Sequence, residues 1–268
     1  MGTSCSCNDT PQTVTELARE DKGPRRPQHT FTDGSVYTGE WAGEVKHGSG
    51  TQVWLDGGRY TGQWVQGKAH GRGRYEHPDG DVYEGGWFED QAHGHGLYLH
   101  VDGSRYEGQF AFDKQDGEGK ECWPDGATFQ GQYKAGYKHG QGKFQWADGS
   151  CFEGEFMQND LHGFGTYCWQ GGRVHKGRWL RNRMHGDGEF TWPDGRRYKG
   201  QYFEDMKHGE GSFFWSDGRK YQGQWRKGVQ HGLGKYTTSD GVTRAGEWAD
   251  GSRVKWTAVE GERAQNPV

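Results

Sequence analysis

Eight histidines, from His47 to His231, stand directly before a glycine at matching places in a 23-residue spacing. Imidazole can ligate a metal or carry a proton, so their separation decides what chemistry they can do together. If each 23-residue unit holds two strands, equivalent histidines of neighbouring units lie about 10 Å apart. Zinc ligands sit about 2.0–2.3 Å from one shared ion, so two such histidines cannot hold it. They are read as structural residues of a turn. The cysteines are treated the same way. Cys122 and Cys168 are 46 residues, or two units, apart. That is about 20 Å, against a Cα limit of about 7 Å for a disulfide. Cys151 is left without a partner, and no Cys-x-x-Cys pair occurs. Free thiols with no secretory leader point to a reducing, cytosolic compartment.

Other catalytic patterns are absent. Gly-x-Gly recurs, as at Gly140 and Gly142, but no helix follows to present its N-terminus to a phosphate. There is no Walker sequence, no Gly-x-Ser-x-Gly elbow and no His-Glu-x-x-His. The carboxylates follow the repeat spacing, as a solvated face does. The expectation is a protein that is not an enzyme and takes no cofactor or metal.

The first residues, MGTSCSCND, carry a different chemistry. They fit the Met-Gly-x-x-x-Ser pattern for N-myristoylation of Gly2, with Ser6 at the specificity position. One myristoyl chain binds a membrane only marginally, whereas a second acyl chain anchors stably, and Cys5 and Cys7 are placed to take a palmitate. Lys22, Arg25 and Arg26 would add attraction to anionic lipid. No run of some 20 apolar residues is present to span a bilayer.

Whatever binds must be positioned by the repeating unit. Its opening residues are Tyr37, Tyr60, Tyr83, Tyr106, Phe129, Phe152, His175, Tyr198 and Tyr221, with Arg244 starting a partial unit. Counting each as position 1, positions 1, 3 and 5 read aromatic, Gly, aromatic, as in Tyr60, Gly62 and Trp64. Polar residues lie between, the period of a half-buried strand. Past a Gly, Asn or Asp at position 8, positions 12, 14, 16 and 18 repeat the pattern, as in Gly140, Gly142, Phe144 and Trp146. Asp-Gly at positions 20 and 21 is a strong hairpin-turn signal. The predicted fold is all-β, an elongated single-sheet array of antiparallel β-hairpins forming a rod or trough. Rings of one strand cover glycines of the next, and stability sums along the array. The predicted organisation is a flexible tether over residues 1–28, the array over 29–256 and a tail over 257–268.

The unit Tyr-x-Gly-x-Trp-x-x-Gly-x-x-His-Gly-x-Gly, intact at residues 60–73 and 221–234, resembles the MORN (membrane occupation and recognition nexus) repeat. That family includes junctional membrane proteins, cytoskeletal scaffolds, ciliary spoke components and repeats appended to lipid kinases. The resemblance implies a hairpin array that binds a partner or forms a homodimer, and implies no reaction. The fourth unit departs from the pattern with Asp116-Gly117, Phe110 and Glu121, which marks it as a candidate kink or pocket.

Formal net charge is −4, which disfavours nucleic acid as a partner. Charge is also unevenly spread. Residues 76–118 hold eleven carboxylates against Arg105 and Lys114. A basic stretch follows, with Lys176, Arg178, Arg181, Arg183, Arg196, Arg197 and Lys199, a candidate patch for an acidic partner or the acidic middle of another copy. The expected function is a scaffold held peripherally on the cytoplasmic leaflet by acylation. It would bind a cytoskeletal, cortical or ciliary protein, at the cell cortex or cilium, through Trp41, Trp64, Trp87, Trp146, Trp169, Trp179, Trp192, Trp215 and Trp225. The alternative is a phosphoinositide-binding module that uses the basic patch.

Overall fold

The computed structural model describes residue 24 and residues 26–257. Gly2, Cys5, Cys7, Lys22 and Arg25 lie outside the described residues. Every regular element among those described is a β-strand, as the period-two pattern predicts. The chain divides into two units, Met1–Tyr137 and Lys138–Val268.

In the first unit, strands from His29–Thr30 to Thr128–Lys134 each pair antiparallel with their sequence neighbours. The second unit repeats the arrangement up to Ser252–Trp256.

One repeat shows why the sequence folds this way. Strand Arg59–Val65 turns into Lys68–Glu76, with Tyr60 opposite Tyr75, Gly62 opposite Gly73 and Trp64 opposite Ala69. The turn uses Gln66 and Gly67 at φ 48° and 83°, the two positive values of a primed two-residue hairpin. The Asp-Gly loop is of a different kind. Gly57 N–H donates to Trp54 O at 3.1 Å and Trp54 N–H to Gly58 O at 2.9 Å. Three residues therefore form the loop, closed by Gly57 at φ 95°, while Asp56 Oδ1 accepts from Gly58 N–H at 2.9 Å. Both signals mark turns, but the primed geometry belongs to positions 7 and 8.

The His-Gly pair is not a turn. His70 lies inside Lys68–Glu76 opposite Gln63, at a register shift between Gly62 and Gln63. Gly71, at φ 66°, makes the bulge, and Gln63 Oε1 accepts from Arg72 N–H at 2.7 Å. A Cβ on Gly71 would lie 2.0 Å from that oxygen. His-Gly recurs because each hairpin needs this bulge. The imidazoles lie on the polar face beside position-6 side chains, His70 at 5.3 Å from Phe88 and His185 at 5.3 Å from Phe203.

Rings and glycines complement one another as expected. Tyr60 is 1% exposed, covers Gly62 and Gly73, and donates its hydroxyl to Gln63 O at 2.9 Å. Tyr83, Tyr106, Tyr198 and Tyr221 make the same bond three residues on.

Candidate functional site

The ring face has two layers. Position-1 rings are buried, and most position-5 rings lean over them. Trp41, Trp64, Trp179 and Trp225 are all buried. The indoles of Trp64, Trp87, Trp179 and Trp225 donate to a glycine carbonyl of the preceding repeat, as in Trp64 Nε1 to Gly50 O at 3.1 Å. The buried rings of Trp41, Trp64, Trp179 and Trp225 are core and offer little to a partner. Trp146, Trp169, Trp192 and Trp215, at position 18, are half-buried and form the outer layer. Trp87 is the exception at position 5: among the tryptophans described there, it alone keeps a half-exposed surface.

Trp87 marks an opening. A groove of about 650 Å³ in the first unit runs over Ala69 and Ala92, between Lys46 at one end and Phe110 at the other. Its walls are rings, and Asp90 and Asp113 line it with negative charge. Each aspartate also ties successive hairpins together. Ala69 N–H donates to Asp90 Oδ1 and Ala92 N–H to Asp113 Oδ1, both at 2.7 Å. Burial holds the Tyr60 and Tyr83 hydroxyls far above their ordinary range, and the charges of Asp90 and Asp113 push the same way. The fourth unit contributes Phe110 to this groove, but the space comes from the small side chains of units two and three. Glu121, the carboxylate on the ring face, accepts from Tyr133 Oη at 2.9 Å.

Position 10 faces these rings and varies in kind. At Lys46 the ammonium sits 3.8 Å from the Trp64 ring centroid and donates to Gln52. At Lys207 it lies 4.7 Å from Phe213, 4.9 Å from Trp225, 5.4 Å from Tyr198 and 5.5 Å from Trp192. Burial lowers both amines to about 8, and the ring faces favour the charged form. Both remain ammonium ions at neutral pH.

Several of the basic residues are interleaved with carboxylates. Lys176 and Lys199 flank Glu189 across neighbouring strands of the second unit. Arg183 meets Glu204 at 3.4 Å, Arg196 meets Asp194 at 2.7 Å and Arg197 meets Glu189 at 3.2 Å. Arg178 is exposed opposite Phe164, and Arg181 sits in a hairpin turn. Arg26, expected in the tether, bonds Glu44 and Gly43 O and stacks 5.4 Å from the Trp41 ring.

The cysteine reading needs one correction. Cys151 and Cys168 are direct cross-strand partners, both free thiols, and burial together with a hydrogen bond to Cys151 raises the Cys168 pKa. They sit at the open end of the hairpin formed by Cys151–Met157 and Asp160–Cys168, far from its Gln158-Asn159 turn, a juxtaposition that whole-repeat spacing does not reveal. Cys122 is buried and forms no disulfide. Among the described residues, no three His, Cys, Asp or Glu side chains are grouped as a metal ion requires.

Hairpins in strict register, with a glycine-backed ring face, define a tandem β-hairpin repeat protein. The MORN repeat model matches nine consecutive segments, 37–59, 60–82, 83–105, 106–128, 129–151, 152–172, 175–196, 198–218 and 221–243, and the chain belongs to that family. The repeat is a non-catalytic module and suggests a scaffold or protein-binding role. No curated protein matches. Among solved structures, the chain is similar to the TCP domain of SAS-4 (dCPAP) of Drosophila melanogaster, in complex with a proline-rich motif of Ana2 (dSTIL). Identity is 16%, coverage 70% of this chain and 99% of that one, and TM-score 0.37. It is also similar to a point mutant of the TCP10 domain of Danio rerio CPAP, with 12% identity, 87% and 100% coverage and TM-score 0.38. At such scores the likeness carries no inference about function.

Proposed function

We propose that this protein is a non-enzymatic scaffold, held on the cytoplasmic leaflet by acyl chains on Gly2 and on Cys5 or Cys7. It grips a cytoskeletal, cortical or ciliary protein along the ring face of its first unit. The observation that carries the binding half is the groove over Ala69 and Ala92, where rings remain uncovered beside two carboxylates. Accessible aromatic surface of this kind is what anchors protein interfaces. The polar face gives less support to a phosphoinositide site, because Arg183, Arg196 and Arg197 each already meet a carboxylate.

Acylation is tested by intact mass and fatty-acid labelling of protein from its native cell, beside Gly2→Ala and Cys5/Cys7→Ser variants, with membrane fractionation of all three. The expected result is acylated wild type in the membrane fraction and both variants largely soluble. A single myristoyl chain holds only marginally, so loss of the cysteines alone releases the protein. Unmodified Gly2, or variants that fractionate as wild type does, would remove the tether from the proposal.

A further inference from the structure

Position 10 lies across each hairpin from position 5, with Trp64 opposite Ala69 and Tyr202 opposite Lys207. Four rings surround it: position 18 of the repeat before, positions 1 and 16 of its own repeat, and position 5 of the repeat after. Around Lys207 these are Trp192, Tyr198, Phe213 and Trp225, and its ammonium lies within 5.5 Å of all four centroids. Around Ala69 they are Trp54, Tyr60, Tyr75 and Trp87, all lining the groove.

The two ring sets have nearly the same centroid spacings, although Tyr75 stands more steeply to its neighbours (78° to Trp54 and 76° to Trp87) than Phe213 does (50° to Trp192 and 40° to Trp225). Trp192 and Phe213 are 5.6 Å apart, as are Trp54 and Tyr75. Phe213 and Trp225 are 6.3 Å apart, as are Tyr75 and Trp87. Tyr198 and Trp225 are 5.2 Å apart, against 5.1 Å for Tyr60 and Trp87. One set holds a lysine ammonium, and the other has a methyl group where that lysine would begin.

We propose that the four-ring cage over Ala69 receives the side chain of a lysine presented by the protein partner. This rests on the reading of the first unit's ring face as a protein-binding surface, and it specifies what that surface recognises. Lys46 and Lys207 show that such rings take an ammonium ion within this chain. Ring faces attract a cation most strongly once water is excluded. Asp90 adds the charge that Lys207 lacks: position 8 of the following repeat is Asp90 over the empty cage and Gly228 over the filled one. Asp113, which also lines the groove, favours the same sign of partner. Ala92 opens a second cage with His77, Tyr83, Tyr98 and Phe110, about 10 Å along, so lysines on one extended segment could occupy both.

Two variants have precedents in the chain. Ala69→Lys should fill the cage from within, as Lys207 does, and leave melting temperature unchanged or raised. Asp90→Asn should keep the bond to Ala69 N–H, because Asn159 and Asn182 accept from Lys138 and Leu161 N–H at 2.8 Å, while removing the charge.

The full-length protein is titrated with Nα-acetyl-lysine methylamide and its neutral Nε-acetyl analogue, following the Trp54 and Trp87 indole N–H resonances by NMR. The expected result is saturable shifts with the charged probe, at least about tenfold weaker affinity for the neutral one, and no binding to Ala69→Lys. Asp90→Asn should bind the charged probe about three- to tenfold more weakly. Equal affinity for the two probes, undiminished binding to folded Ala69→Lys, or no shift with either probe would overturn the lysine assignment. None of these outcomes decides whether a protein docks on the ring face, which site-specific cross-linking reads independently.

Discussion

Gly154→Ala destabilises its repeat by about 3 kcal/mol, whereas Gly171→Ala shifts stability by less than about 0.5 kcal/mol. A Cβ on Gly154 would lie 2.4 Å from Gly165 Cα, 2.6 Å from Phe164 O and 2.9 Å from the Phe152 ring. Two of these atoms are backbone of the paired strand, so no rotamer change relieves the clash. The Phe152 ring cannot retreat either, because it is fully buried and packed 5.2 Å from Phe156 and 5.6 Å from Trp179. Gly171, in the nearby loop, has nothing within 4 Å of its added Cβ and does not have a positive φ. The two substitutions therefore separate the steric role of glycine from its abundance. Because stability in a repeat array is local, the readout is hydrogen exchange in Cys151–Met157 and Asp160–Cys168. Equal protection in the two variants would mean that the glycines are not where rings and strands interlock.

His175→Tyr stabilises the second unit by about 1–3 kcal/mol at pH 7, and its advantage grows in acid. His175 is the position-1 residue of its repeat, 0% exposed, and neither ring nitrogen has a hydrogen-bond partner. At the equivalent place, Tyr198 and Tyr221 donate to the Gln201 and Gln224 carbonyls at 3.0 Å. Burial lowers the His175 pKa from 6.5 to about 4, so the folded protein holds it neutral. Between pH 6.5 and 4 the unfolded chain binds the extra proton. This stability contribution is present above 6.5 and is lost on descending to 4, a change of about 3 kcal/mol. Denaturation of the wild type across that range should show the slope, and the tyrosine variant should lack His175's share of it. A wild-type profile unchanged by the substitution would place His175 in contact with solvent or a hydrogen-bond partner.

The sequence made the period, the alternation and both turn positions legible, because each depends on residue types that only one backbone geometry accommodates. Asp56-Gly57 requires an acceptor followed by positive φ, and Gly62 and Gly73 leave room for Tyr60. Other features needed the register. Trp64 and Trp87 read alike in the sequence, yet one is sealed under Lys46 and the other is half-exposed over Ala69. The signal was the alternation of Lys, Ala and bulkier residues at position 10, and it gains meaning only once position 10 is known to face the rings. Cys151 and Cys168 need the register too, since they meet at the open end of one hairpin while sitting at different positions of successive 23-residue units. His-Gly reads as structural from its spacing, yet spacing does not tell a bulge from a turn, because a bulge glycine and a turn glycine both take positive φ.

The most direct test of the central claim replaces single residues by the photo-cross-linker p-benzoylphenylalanine in cells that make the protein. Trp54 and Tyr75 report on the half-exposed ring layer of the first unit, and Thr61 and Arg74, paired on the opposite face, serve as controls. The prediction is one protein adduct common to Trp54 and Tyr75, absent from Thr61 and Arg74 and competed away by excess unmodified chain. Adducts confined to Thr61 and Arg74, or none from the ring face in folded protein, would contradict the assignment of that face to partner binding.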